Sequence, residues 1–180
     1  MSKRETSTAE ESPRQNAQAS GAMGVSPASV CVDDVIITPL LAQRESHTPD
    51  YRAENEALTS LAQAMATAPE TIFQELVETA LRLCGAQSAG ISIRERTTSS
   101  SVFRWRATAG AFAPLVGQTL PRDFSPCGVV VDRDALQLMS SPVRYYPYIA
   151  ELSEPVHEVL LAPFHYRGVP IGTVWVVSHD

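Results

Sequence analysis

Two blocks of the sequence repeat apolar residues with a period of two, and a long aperiodic stretch keeps them apart. In the first block Ile91 and Ile93 alternate with Ser92 and Arg94, and Phe103, Trp105 and Ala107 alternate with Arg104 and Arg106. A period of two sends alternate side chains to opposite faces of an extended chain. Both runs therefore read as antiparallel strands with one wet face, joined through the polar loop 95–101. The second block holds residues 159–166 and 171–178 around Arg167-Gly168-Val169-Pro170, a turn-rich link that makes a second hairpin. Residues 109–157 between the blocks are rich in Gly, Pro and aromatics. A segment of that length inside a compact domain is usually functional, and it is expected to lie over one face of the sheet.

Ahead of the strands the period is helical. Thr48 and Pro49 supply a cap and a first-turn proline, and Leu58, Leu61 and Met65 then form one narrow apolar stripe over a helix at 48–66. Such a stripe suits either a partner helix or packing on the domain itself. Thr67-Ala68-Pro69-Glu70 has the spacing of a capping box. Ile72, Phe73, Leu76, Val77, Ala80, Leu83 and Cys84 follow as a broad buried face, and Gly85 ends the helix. On that face Cys84 reads as inert core. The order helix, helix, hairpin, covering segment, hairpin gives an α+β fold, with helices on one face of an antiparallel sheet and an irregular helix and loop lid on the other.

Composition narrows the function classes. The chain has 180 residues and a formal net charge of −6; Lys3 is the only lysine, so there is no basic face for nucleic acid. Three cysteines in no metal-like spacing give no disulfide framework and point to a reducing, cytoplasmic compartment. No uncharged apolar run approaches a membrane span, and no apolar core follows the basic residues at the start. Residues 1–29 carry almost no large apolar group and are expected to be a disordered tail. Residues 30–47 read as a partly ordered lead-in, and residues 48–180 as the domain.

Several stretches together carry a resemblance: PDYRAENEALTSLAQA (49–64), SAGISI (88–93), FRWRATAG (103–110), LPRDFSPCG (120–128) and PFHYRGVPIGTVWVVSHD (163–180). With this order of elements, the chain resembles a GAF domain, the small-ligand sensory module of bacterial signalling proteins, over roughly residues 35–180. It is most similar to GAF domains at the amino end of sensor histidine kinases. The resemblance implies a sensory role in signal transduction: an unidentified small ligand bound under residues 120–157, with the state relayed through the helix at 48–66, which could also pair two copies. GAF domains of this kind continue past the His-Asp pair into a last helix, whereas this sequence stops at Asp180; the expectation is a domain shortened by that helix, with an apolar strip uncovered. No kinase phosphoacceptor box or ATP-binding region is present.

Candidate site residues follow. Ser125 and Pro126 start a helix, which sets Cys127 near its amino end, where the macrodipole favours a thiolate and lowers the pKa. Cys127 reads as a lid space-filler, a ligand-facing thiol, or a reactive one. GAF-fold free-methionine sulfoxide reductases also place a cysteine before a glycine here, which makes a thiol-dependent reductase an alternative to the sensor. A third alternative is a ligand-free dimerisation scaffold. Reduction of a sulfoxide needs a second, resolving thiol, and neither Cys31 nor Cys84 reads as one. A chromophore linkage would need a histidine near the cysteine, and none follows Cys127 until His157. Arg144, Tyr146 and Tyr148 give the lid aromatic walls with polar tips, suited to a small-molecule cavity or to a closed core. With Trp105, Phe124, Cys127 and His157 they complete the ligand-binding candidates. No metal ligand set and no cofactor motif is read from the sequence.

Overall fold

The computed structural model describes residues 30–46, 48–96 and 100–180. The tail at 1–29, His47 and the middle of the first hairpin loop (97–99) lie outside the described residues. Two helices, α1 (Tyr51–Thr67) and α2 (Ile72–Cys84), precede strands β1 (Ser88–Arg96) and β2 (Ser101–Gly110). The intervening segment supplies β3 (Thr119–Pro121), α3 (Pro126–Arg133), β4 (Gln137–Ser140) and short 3-10 turns; β5 (Glu158–Tyr166) and β6 (Val169–Ser178) close the chain. The strands form one six-stranded antiparallel sheet in the order β3-β2-β1-β6-β5-β4. Helix α2 packs on one face against Ala89, Ile91, Ala107 and Ala109. Helix α3 and the 3-10 turns cover the other face over Phe103, Trp105, Met139, Leu161 and Trp175. The α+β arrangement of helices on one side and a lid on the other is thus observed.

The hairpins are where predicted, with two refinements. Arg167 (φ 52°) and Gly168 (φ 76°) alone make the β5–β6 turn, so β6 starts at Val169. Two consecutive positive φ values are the geometry of a tight two-residue hairpin, and glycine takes the second without a Cβ penalty. The expectation of one wet face for β1 and β2 is corrected, because both faces are covered over most of their length. Phe103, Trp105 and Ala107 do not share a face. The register steps from Ile91↔Ala107 to Ser92↔Trp105, leaving Arg106 as an extra residue in β2. An extra residue reverses the facing of every side chain beyond it. Phe103 and Trp105 consequently join the lid core, while Ala107 and Ala109 join the α2 core.

The helix ends also differ from expectation. Asp50, not Thr48, caps α1, its Oδ1 accepting the Ala53 N–H at 3.0 Å. The capping box at 67–70 does not form: α1 runs on to Thr67, whose hydroxyl donates to the Gln63 carbonyl at 2.9 Å, and Pro69–Thr71 is a 3-10 turn leading into α2. Helix α1 turns Ala53, Ala57 and Leu61 inward, leaving Leu58 and Met65 each 65 % exposed, so the apolar stripe is split. In α2, Val77 and the unforeseen Thr79 are buried, and Gly85 takes the left-handed terminal position. Leu83 and Cys84 are exposed rather than core, since they lie in the last turn.

The lead-in contributes directly to the core. Val35 is fully buried, Ile36 bridges Met139, and the Leu138 N–H donates to Thr38 Oγ1 at 2.9 Å. Arg44 holds Glu158 at the start of β5 through two bonds of 2.9 and 2.7 Å. That ion pair is the first cause of the lowered Glu158 pKa.

Candidate functional site

The lid-facing side of β1 is made of small residues: Ser88, Gly90 and Ser92. This leaves room on the sheet for a large ring, and Trp175 of β6 fills it. A Cβ on Gly90 would collide with the six-membered ring of the Trp175 indole. The indole is fixed by a bond from Nε1 to Ser92 Oγ at 2.9 Å. Trp105 lies against it with ring centroids 4.9 Å apart, and Phe112 stands 5.9 Å from Trp105. Above these rings come the start of α3 and the turn Pro147–Glu151. Between sheet and lid is a cavity of about 50 Å³, walled by apolar groups that include Trp105, Phe112, Cys127, Tyr148, Leu161 and Trp175.

The local sequence explains how Cys127 reaches this wall. Ser125 is the α3 cap, its Oγ accepting the Gly128 N–H at 3.2 Å, and Pro126 occupies the first turn. This turns the thiol down toward the sheet, where it is 2 % exposed and accepts a hydrogen bond from Thr173 Oγ1 at 3.3 Å. Burial pushes the thiol pKa up, with the Thr173 and Ser92 hydroxyls opposing only in part. The expected lowering by the helix dipole is therefore overturned: desolvation of the thiolate outweighs a partial charge at the end of a two-turn helix.

The other predicted site residues are dispersed. Trp105, Cys127 and Tyr148 line the cavity. The Tyr148 hydroxyl is turned away to the Phe124 carbonyl, donating to it at 3.1 Å, and burial raises its pKa. Tyr146 is 1 % exposed and is a packing residue, its ring 4.8 Å from that of Tyr145 and 5.1 Å from that of Phe124. Phe124 is 41 % exposed at the outer side of this aromatic group. Arg144 is exposed. His157 is exposed too and borders a separate depression with Ser141, Val143 and Ala150. Sequence reasoning missed Phe112 and Leu161 as cavity walls. Phe112 lies just past the end of β2, and only three-dimensional closure of the lid brings it over the tryptophans.

One polar atom in this region stands apart. Trp105 Nε1 is buried and has no hydrogen-bond partner among the described residues. A buried donor left unpaired costs about 1–3 kcal/mol. By contrast, Ser88 is fully satisfied: its Oγ accepts the Phe112 N–H at 3.1 Å and lies 2.7 Å from His179 Nε2. His179 Nδ1 in turn lies 2.6 Å from the Pro155 carbonyl, so Nδ1 carries the proton and Nε2 accepts from Ser88. The arrangement has the order of a nucleophile and base, but Ser88 is 0 % exposed and serves to tie β1, β6 and the lid together. Among the described residues, no group of three or more His, Cys, Asp or Glu is placed to hold a metal, and no helix is long and apolar enough to cross a membrane.

No family model matches the chain, and no curated protein matches it by sequence. Solved structures do match. The GAF domain of a phosphoenolpyruvate-protein phosphotransferase from Coxiella burnetii superposes with a TM-score of 0.61 at 19 % identity, covering 73 % of this chain and 81 % of that one. The fold is that of a GAF domain. A phycoerythrobilin-bound GAF domain from a cyanobacterial phytochrome has a TM-score of 0.57 at 13 % identity, covering 72 % and 83 %. A substrate complex of free methionine-R-sulfoxide reductase from Neisseria meningitidis has 0.56 at 16 %, covering 76 % and 80 %. One GAF architecture thus carries a phosphotransferase module, a chromophore binder and an enzyme, so function has to be argued from the site.

Proposed function

We propose that this chain is a sensory GAF domain that binds a small molecule between its lid and its sheet. The observation carrying this reading is the apolar cavity at the junction of Trp105, Trp175 and the lid residues Cys127 and Tyr148. Occupancy would draw the lid segment 120–157 onto the two indoles. Trp175 rests on Gly90, and the next residue of β1, Ile91, packs on the α2 side, so a shift of the indole would be felt by α2 and, through it, by α1. Helix α1 is the proposed output. Its exposed Leu58 and Met65 suit contact with a second copy or a downstream partner, as in bacterial two-component signalling, and the kinship with sensor histidine kinases is part of this reading. A reducing cytoplasm is the proposed setting, consistent with three cysteines that are all free.

Two features count against the reductase alternative. The Cys127 thiol is buried with a raised pKa, whereas attack on a sulfoxide calls for an accessible, thiolate-prone sulfur. Cys31 and Cys84, the two possible resolving thiols, are both exposed, so neither shares the buried site. Native mass spectrometry of the protein purified gently from cells tests the proposal. A bound small molecule lost on Trp175→Ala would support it. Protein that emerges ligand-free from every growth condition, with no thermal shift from any metabolite pool, would remove it. Assay of methionine sulfoxide turnover, with Cys127→Ser as control, tests the alternative.

A further inference from the structure

Helix α1 carries two stripes, and only one of them is covered within the chain. Ala53, Ala57, Leu61 and Ala64 turn inward, where α1 rests on α2. Tyr51, Asn55, Leu58, Ala62 and Met65 follow one another at spacings of four, three, four and three, and each of them is exposed. On a helix of 3.6 residues per turn that spacing draws a single seam, the d-a-d-a-d pattern of a coiled coil. Tyr51, Leu58 and Met65 occupy its d positions, and three large apolar side chains in one line on an outer face mark a contact surface.

Asn55 decides which occupant fits. It takes an a position between Tyr51 and Leu58. In a parallel, in-register pair an a residue meets its own counterpart, so two Asn55 amides hydrogen-bond to each other. An antiparallel pair sets the amide against Leu58, and a slip of one heptad sets it against Ala62. A second copy of this chain brings the matching asparagine by symmetry. The flanking charges allow it: Glu54 at g meets Thr59 of the second copy at e, and Arg52 is held off the seam by Glu56 at 2.9 Å. The amino end of the chain is no rival, because residues 1–29 hold only three large apolar side chains, Met1, Met23 and Val25, at no heptad spacing. We infer that α1 pairs with α1 of a second copy as a short parallel coiled coil whose register is set by Asn55. This rests on the reading of α1 as the output helix and names its partner. The two sensory domains then lie side by side about a two-fold axis along the seam. So short a seam buries less than the roughly 1,200 Å² of a standard interface, and the expected dissociation constant is on the order of 10–100 µM.

Sedimentation velocity of the full chain from about 1 µM to about 1 mM reads the association. A concentration-dependent equilibrium of monomer and dimer is expected. Leu58→Glu or Met65→Glu should weaken it at least about tenfold, and Val116→Glu, at an exposed apolar residue off the seam, should leave it unchanged. Both seam residues are exposed in the single chain, so these variants should melt where the dilute native protein does. Asn55→Leu should tighten association about tenfold and admit larger oligomers. Direction is read by oxidative cross-linking in a Cys31→Ser, Cys84→Ser background, which leaves only the buried Cys127. Ala62→Cys should link two copies there, and Gln63→Cys should not. A monomer throughout, or a dimer indifferent to both glutamate substitutions, overturns the pairing. Equal cross-linking by Ala62→Cys and Gln63→Cys, or no effect of Asn55→Leu, overturns its parallel register. Either result leaves ligand binding standing, since native mass spectrometry tests that separately.

Discussion

Gly90 makes the sharpest prediction for how the sheet supports the site. Its missing side chain is the floor on which Trp175 lies, and an added Cβ would overlap three atoms of that indole's six-membered ring. The indole cannot yield easily: Nε1 is bonded to Ser92, Trp105 lies 4.9 Å away, and Trp175 is itself 4 % exposed. Gly90→Ala should therefore impose an overpacking cost of about 1–3 kcal/mol. Displacing the Trp175–Ser92 hydrogen bond adds about 1 kcal/mol, so the sum is about 2–4 kcal/mol. For a domain of this size that lowers the melting temperature by about 5–15 °C. Urea titrations followed by tryptophan fluorescence and by far-ultraviolet circular dichroism measure it. Repeating the substitution in a Trp175→Phe background isolates the cause, because Phe lacks the fused ring that the methyl strikes. A coupling of at least about 1 kcal/mol between the two sites is expected. A cost below about 0.5 kcal/mol, or an equal cost in both backgrounds, would refute the close approach of the indole to β1.

Four further outcomes are expected. Thiol labelling of the native protein should modify Cys31 and Cys84 quickly and Cys127 only on unfolding; prompt labelling of all three would contradict the burial of the last. Because the folded Cys127 pKa is raised, the folded state holds its proton longer than the unfolded chain. Stability should thus be full below pH 9, the ordinary value, and fall above it. Tyr146 and Tyr148 should add to the fall above pH 10, and Cys127→Ala should remove the earlier part of it in pH-dependent denaturation. Val35→Ala should cost about 1–3 kcal/mol in chemical denaturation if the lead-in is part of the core, and almost nothing if it is a loose strap. His179→Ala strips the buried Ser88 hydroxyl proton of its acceptor while leaving the bond from the Phe112 N–H; a loss of about 1–3 kcal/mol with faster amide exchange near Val156 is expected, and unchanged exchange there would argue against a lid tie.

The period-two blocks carried most of the fold into the sequence, because alternation survives wherever a strand has two chemically different faces. The lid helix was equally legible: Ser125-Pro126 is a local cap that works without its tertiary surroundings. What stayed hidden depended on contacts distant along the chain. The odd residue at Arg106 keeps the alternation of β2 looking regular while reversing its facing, so Phe103 and Ala107 read as neighbours on one side. Cys84 carried the helical spacing of a core position, but the last turn of α2 leaves it exposed. The cavity was visible only in part. Trp105, Cys127 and Tyr148 belong to elements whose coverage of one another could be guessed. Phe112 follows a strand end with no periodic signal, and the polar or aromatic character of Arg144, Phe124 and His157 says nothing about which way the lid turns them.

The extra residue in β2 also divides that strand mechanically. Trp105 lies on one side of the irregularity and the alanines beneath α2 on the other, so a tilt of the outer half need not be copied by the inner half. The β1–β6 pair has an unbroken register from Ser88↔Val177 to Ile93↔Gly172. Any strain arising beneath the lid thus has a stiff conduit in the middle of the sheet and a compliant joint beside it, and the conduit passes directly under the Trp175 ring.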